Sequence, residues 1–338
     1  MNLSLEIDHF AAEAAREWNL SIRRICRDLQ IAGSPDRCEL RLVIECDSGR
    51  LYVLESLFEA DIDHKLEIIA CLNILSENGL SEVVPYLRSE YGGYIVNCCN
   101  RLWQLSAFVR GIPLIRPEYV WDGWRGEVMA DFLIRQNTLS RDISCLINLS
   151  EFSITDYIQK LVAQIQIHAP QVLDGIRPVV RFVEERFMKR HDRLPLSFCH
   201  GDFHPLNVIW SPNGIQAVID WEFLGIKPEI YDAANLIGCI GVEDPQALLG
   251  ELVRNFILRL NQSNWISNAS WEVLIEFVIA IRFAWLSEWL RHDDREMIAL
   301  EMVYMNLLTD NADMLKKVLI PHDAKQEPHD ETMQQLRR

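Results

Sequence analysis

Cys199-His200-Gly201-Asp202-Phe203-His204-Pro205-Leu206-Asn207-Val208-Ile209-Trp210 reads as a polar loop running into an apolar strand. Ile215-Gln216-Ala217-Val218-Ile219-Asp220-Trp221-Glu222 reads as the strand that returns. Ser211-Pro212-Asn213-Gly214 between them is a turn sequence, so the two runs predict a β-hairpin. The hairpin brings Asn207, just before the outgoing strand, near Asp220, just after the returning one. Asp202 lies five residues ahead of Asn207 in the same loop. Two carboxylates and a carboxamide oxygen therefore converge.

That oxygen set is what metal-assisted phosphoryl transfer to a hydroxyl requires. One Asp accepts the hydroxyl proton, while an Asn and a second Asp hold Mg2+ against the nucleotide phosphates. The Asp202-to-Asn207 step equals that of the kinase loop H-R-D-x-x-x-x-N, after which a second Asp also follows. A lone Asp near an Asn is usually structural. His200, Asp202, Asn207 and Asp220 around one hairpin are much harder to reach by chance.

His-Gly-Asp-Phe-His-Pro-Leu-Asn followed by Ile-Asp-Trp-Glu resembles the signature of the aminoglycoside phosphotransferase / choline kinase family, the protein-kinase-like small-molecule kinases. The resemblance implies an α+β, two-lobe fold with a small mainly β N-lobe and a larger mainly helical C-lobe. It also implies ATP- and Mg2+-dependent transfer to a hydroxyl of a small molecule such as an aminoglycoside, choline, homoserine or a sugar. On the matching positions, Asp202 is the expected catalytic base and His200 the scaffold of its loop. Asn207 and Asp220 are the expected Mg2+ ligands, and His204 a brace. Pro228-Glu229-Ile230-Tyr231-Asp232-Ala233-Ala234 resembles the family's D-P-x-x-D-L-A segment, which gives Asp232 a structural part. The motifs cover residues 196–240, and the order of the lobes extends the resemblance over most of the chain.

One position departs from the pattern. The family places a phosphate-binding lysine on its third strand, in a Y-V-L-K context, paired with a glutamate on the next helix. This chain reads Tyr52-Val53-Leu54-Glu55. A carboxylate there repels a triphosphate. Three accounts stay open. The strand register is shifted; or the pair is swapped, Lys65 on the helix facing Glu55, with Glu67 at the family's helix-glutamate position; or nucleotide is bound poorly, leaving a catalytically impaired protein with a binding or regulatory role. Lys65 is more simply read as a solvated lysine. Arg37 is a further source of positive charge, beside the Gly33-Ser34 turn where a phosphate-covering loop belongs.

Outward from the hairpin, residues 1–105 read as the small lobe. It starts with a helix over Leu3–Trp18 and a strand over Glu39–Glu45, a turn at Asp47-Ser48-Gly49, and a returning strand over Arg50–Glu55. A helix over Asp63–Glu77 ends at Asn78-Gly79, and two strands follow over Gly93–Cys99 and Arg101–Val109. Adenine is expected at the junction, near Leu105–Val109. Residues 106–320 read as the helical lobe, with helices over Glu127–Arg135, Thr155–His168, Pro178–Arg190, Pro245–Leu260 and Trp271–His292. The Pro245 helix carries Asp244 as its N-cap. Residues 321–338 read as a solvated tail. Trp285, Glu288 and Trp289 are the candidate substrate-binding residues, since indole faces and a carboxylate attract an ammonium group. The simpler reading of the Trp271–Trp289 stripe is core. Trp121 and Trp124 flank a tight turn and fit either a cleft wall or a plug between lobes.

The 338 residues include 33 Lys and Arg against 49 Asp and Glu, a net charge of −16. That balance argues against a phosphate-backbone binder and an anionic-membrane binder; it tilts slightly toward a cationic small substrate, solubility alone being the simpler reading. Apolar residues make up 49 % and charged residues 24 %, the balance of a folded domain. Glu272, Glu276, Arg282 and Glu288 interrupt the most membrane-like stretch. The N-terminus lacks a basic region followed by an apolar run, so a cytoplasmic location is expected. The nine scattered cysteines support neither a disulfide framework nor a zinc site, and Cys98 and Cys99 are expected on opposite faces of a strand.

Overall fold

The computed structural model describes residues 3–320; the expected tail at 321–338 lies outside them. The chain opens with α1 (Leu3–Arg16), followed by β1 (Ile22–Ile25), β2 (Leu40–Cys46) and β3 (Leu51–Leu57). Then come α2 (Ile62–Glu77), β4 (Ile95–Cys98) and β5 (Arg101–Ala107). The strands form one antiparallel sheet in the order β1-β2-β3-β5-β4. The Asp47-Ser48-Gly49 turn sets the β2–β3 register, pairing Leu42 with Leu54 and Arg41 with Glu55.

Strand side chains alternate between faces, and here the alternation separates two tasks. Leu42, Ile44, Leu54, Trp103 and Leu105 pack against Ala11, Ala14 and Ala15 of α1 in a small core of their own. Arg41, Val53, Glu55 and Ser106 point the other way and line the cleft beneath the sheet. β1 was not expected, because its Ile-Arg-Arg-Ile sequence shows no alternation; it is an edge strand with only its two ends half-buried. Cys98 and Cys99 do not point apart. Cys99 sits in the β4–β5 turn at φ +55°, so strand alternation ends before it and the two sulfurs lie 3.7 Å apart.

The larger lobe is built from α3 (Gly123–Leu139), α4 (Ile143–Leu146), α5 (Ile154–His168), α6 (Pro170–Arg186) and α7 (Met188–His191). A short β-rich island interrupts the helices with β6 (Leu196–Cys199), β7 (Val208–Ser211), β8 (Gly214–Val218) and β9 (Gly225–Pro228). There follow α8 (Tyr231–Glu243), α9 (Glu251–Gln262), α10 (Asn268–Trp271), α11 (Leu274–Arg291), α12 (Arg295–Asp310) and α13 (Ala312–Leu319). β7 and β8 form the expected hairpin, and β6 pairs with β9. Trp124 packs edge-on against Trp210 of β7, and Arg125 lies over both rings, so this tryptophan plugs the base of the hairpin.

Several helix boundaries differ from expectation; α3 runs four residues further at each end, and three others differ more. The helix expected to begin at Pro178 begins at Pro170 and runs through Pro178. Burial of Val172, Leu173, Ile176, Val179 and Val183 carries it past the exposed proline. Asp244 does cap, accepting the Gln246 N–H at 2.9 Å, but what it caps is a single 3-10 segment, Pro245–Leu249. Gly250 is extended and closes that segment before α9. The long Trp271 helix is divided at Glu272-Val273 into α10 and α11. No described helix is long and apolar enough to cross a membrane.

Candidate active site

β6 delivers the chain into the loop 200–207, and its first bend is possible only for glycine. Gly201 sits at φ +85°, and a Cβ there would lie 1.9 Å from the Phe223 carbonyl oxygen. Asp232, in the first turn of α8, ties this bend down. Its Oδ2 accepts the His200 N–H at 2.7 Å and its Oδ1 the Gly201 N–H at 2.8 Å. Burial pushes the Asp232 carboxyl above the usual range, with His200 and the two N–H groups opposing.

His200 links the two halves of the island. Its Nδ1 accepts the Asp202 N–H at 3.2 Å, so Nε2 carries the proton and donates to the Ile219 carbonyl at 3.0 Å. Its ring packs on Trp221, with centroids 4.4 Å apart. Burial pushes the imidazole below its ordinary value, so it is neutral.

Asp202 is surrounded by groups that orient its carboxylate. Asn207 Nδ2 donates to the Asp202 carbonyl at 2.9 Å and to Oδ2 at 3.0 Å. His204 accepts the Leu206 N–H at Nδ1, which leaves Nε2 facing Asp202 Oδ1 at 3.5 Å. Asn235 of α8 approaches the same oxygen at 3.4 Å. Burial pushes the Asp202 carboxyl up, but His204, His200 and Asn207 together hold it below the usual range. It is therefore ionised at neutral pH, the form that takes a proton.

The returning strand aligns the second carboxylate. Ile219 N–H donates to the Asn207 carbonyl at 3.0 Å, and Asp220 then turns to φ +65°. Asp220 Oδ2 accepts the Ser34 N–H at 3.0 Å, and Oδ1 faces Arg37 Nε at 3.8 Å. The Arg37 guanidinium lies over the Phe223 ring at 4.7 Å. Gly33, Ser34 and Arg37 thus meet the cleft at Asp220, while Gly33, Arg41, Glu55, Val109, Ile219 and Asp220 line a cavity of about 620 Å3 between the lobes.

Several expected placements are corrected. Lys65 is neither solvated nor opposite Glu55: it is buried and bonded to Glu222. Glu55 pairs instead with Arg41, whose Nε donates at 2.6 Å, and with Gln104, whose Nε2 donates at 2.6 Å. The strand register is as read, so the charge at this position is real. Glu67 is half-exposed beside His64 and does not line the cavity. Trp285 is near the loop, its ring 5.8 Å from that of His204 and its Nε1 donating to Asn235 at 3.2 Å. Trp289 adjoins Trp285 at 5.8 Å. Glu288 is engaged by Arg291 and His292, so it is not a free carboxylate for an ammonium group. Leu105 is in the α1 core, and Ser106–Val109 border the cavity.

Sequence reasoning missed Arg41, Asn235 and Glu222. A signal existed for Arg41, since counting back from the Ser48 turn puts it across from Glu55. Glu222 ends the Ile-Asp-Trp-Glu motif, whose spacing names no partner for it, and Asn235 carries no spacing signal.

A family model described as the phosphotransferase enzyme family matches residues 122–263. Among solved structures, an aminoglycoside phosphotransferase from Alicyclobacillus acidocaldarius is similar at a TM-score of 0.62 and 15 % identity, over 90 % of this chain and 95 % of that one. An amicoumacin kinase in complex with AMP-PNP and Ca2+ is similar at 0.66 and 15 % identity, over 96 % of each chain. A macrolide 2'-phosphotransferase from Brachybacterium faecium is similar at 0.60 and 11 % identity, over 89 % of this chain and 98 % of that one. The fold is protein-kinase-like. The resemblance read from the island is borne out. No curated protein matches the sequence.

Proposed function

We propose that this chain is an ATP- and Mg2+-dependent phosphotransferase acting on a hydroxyl of a small molecule. The observation that carries the reading is the Asn207 amide bound to the Asp202 carboxylate, with the Ile219 N–H on the Asn207 carbonyl bringing the next residue, Asp220, alongside. The family match and the nucleotide-bound kinase among the similar structures support it.

The residues fit the groups the reading needs. Asn207 and Asp220 offer hard oxygens, the donor type Mg2+ takes. Each carboxylate oxygen has two lone pairs, so the Ser34 contact leaves Asp220 able to ligate. A cavity of about 620 Å3 has the size of a nucleotide site. Asn207 and Asp220 would hold the ion, which when bound neutralises charge across the phosphates. Asp202 takes the proton of the acceptor hydroxyl. Asn207 and Asn235 fix the direction of its lone pairs, and His200 stays neutral and holds the loop. Trp285 and Trp289 form an aromatic wall beside His204. It suits an aminated or sugar-like acceptor, in keeping with the net charge of −16.

Asp202→Asn keeps the shape of the side chain and removes the base. Phosphate transfer from labelled ATP to a panel of hydroxylated amines, sugars and amino acids should fall by about 10²–10⁴. The melting temperature should stay close to wild type, as should its rise with Mg2+ and AMP-PNP. A wild-type protein that shows no metal-dependent stabilisation at millimolar nucleotide would overturn the reading in favour of a binding or regulatory protein.

A further inference from the structure

A carboxylate on β3 facing a triphosphate cleft is the oddest feature of the site, and its neighbours change what it presents. Both Glu55 oxygens are taken, Oε1 by Arg41 Nε at 2.6 Å and Oε2 by Gln104 Nε2 at 2.6 Å. The acid is therefore held in place by one cation and one neutral amide. A guanidinium has five donors in a planar fork, and holding Glu55 through Nε leaves others for a second anion. Nη1 reaches the Ala32 carbonyl at only 3.4 Å, a long contact.

That edge lies against Gly33. A Cβ on Gly33 would lie 3.4 Å from Arg41 Nη1 and 3.7 Å from Asp220 Oδ2. The guanidinium and the candidate metal-binding carboxylate thus meet across the width of one glycine, where phosphates held by a metal on Asp220 would lie. Lys65 does not take this place, because it is buried against Glu222 and does not line the cavity. Arg110 lines the cavity from the connection between the lobes.

We propose that Arg41 is the phosphate-binding cation of this cleft and that Glu55 is its positioning residue. The cation stands on β2, one strand over from the expected β3 position, and the acid occupying that position aims it. This inference rests on the nucleotide reading above.

Calorimetric titration of the full chain with AMP-PNP plus Mg2+, and separately with adenosine, tests it. Arg41→Gln should weaken AMP-PNP about tenfold or more and change adenosine by less than about twofold, since only the triphosphate meets the guanidinium. Arg41→Lys, which keeps charge but not the fork, should fall between Gln and wild type. Glu55→Gln should weaken AMP-PNP about two- to fivefold, because the guanidinium loses its aim. If Glu55→Gln tightens AMP-PNP or leaves it unchanged, the positioning role is overturned. If Arg41→Gln weakens both ligands alike or neither, the phosphate role is overturned. Should melts show that Arg41→Gln does not fold, Arg41→Lys carries the same comparison of the two ligands. Wild-type protein that binds neither ligand removes the nucleotide reading itself, whereas wild-type binding with an indifferent Arg41 removes only this inference.

Discussion

His200 joins the halves of the site through one neutral imidazole, accepting from Asp202 N–H and donating to the Ile219 carbonyl. That arrangement has a pH signature. Burial lowers the folded-state pKa of His200, while the unfolded chain keeps about 6.5. Below that value the unfolded chain takes up the proton first. Stability from this group is therefore full above about pH 6.5 and is lost as the pH falls through the lowered folded value. The melting temperature should drop more between pH 7.5 and pH 5.5 in wild type than in His200→Gln; equal slopes would show that His200 takes up its proton equally in both states. Much at this scale was legible in the sequence, because the motif carries its own spacing. Arg41 was not recognised, although the hairpin register already placed it opposite Glu55. The missing step was to ask which cross-strand neighbour could neutralise a buried acid.

At the scale of elements, α11 and α12 are held together by Arg282 and Glu301, both buried, with Nε–Oε1 at 2.6 Å and Nη2–Oε2 at 2.5 Å. Burial disfavours the charge on Arg282, and Glu301 more than offsets this. Glu301→Gln leaves the guanidinium without a counter-charge. It should cost about 3–5 kcal/mol, a fall in melting temperature of roughly 10 °C. Replacing both partners by apolar residues should recover much of that loss, which a pair of melting curves would show. Trp289 Nε1 also approaches Glu301, at 3.4 Å, so the single variant should raise the acceptor KM as the aromatic wall loses its anchor. None of this pairing was legible. Arg282 counted only as a charge against a membrane span, and α12 was not expected. α8 was also missed, being buried nearly all round, so it has no polar face to give a 3.6-residue period. Pro178 misled in the other direction, since core packing outweighed a proline that faces water.

At the scale of the whole molecule, the lobes read from the sequence and the cores found in the structure divide differently. α1 and one face of the sheet form a small core, with Trp103 and Leu105 at its centre. α2 follows those strands in the small-lobe segment, yet Ile68, Cys71, Leu72 and Leu75 belong to the large helical core. Polar ties reinforce this. Lys65 and His64 of α2 bind Glu222, Val218 N–H donates to the Glu82 carbonyl at 2.8 Å, and Arg135 of α3 holds the Glu82 carboxylate. The helix is thus anchored to the returning hairpin, while the sheet touches the site chiefly through Arg41 and the Gly33–Arg37 loop. Sequence periodicity finds a helix but does not say which core takes its apolar side, and order along the chain favours the wrong one here. Local opening follows cores. In hydrogen exchange, amides of β1 and β2 should therefore exchange faster than those of α2, although all lie in the first third of the chain. AMP-PNP with Mg2+ should slow exchange in the 33–37 loop and β2 far more than in α2, because a nucleotide held by Asp220 and Arg41 would tie the sheet to a helix that is already fixed. If α2 exchanges in step with β1 and β2, with and without nucleotide, this division into cores does not govern the motion of the cleft.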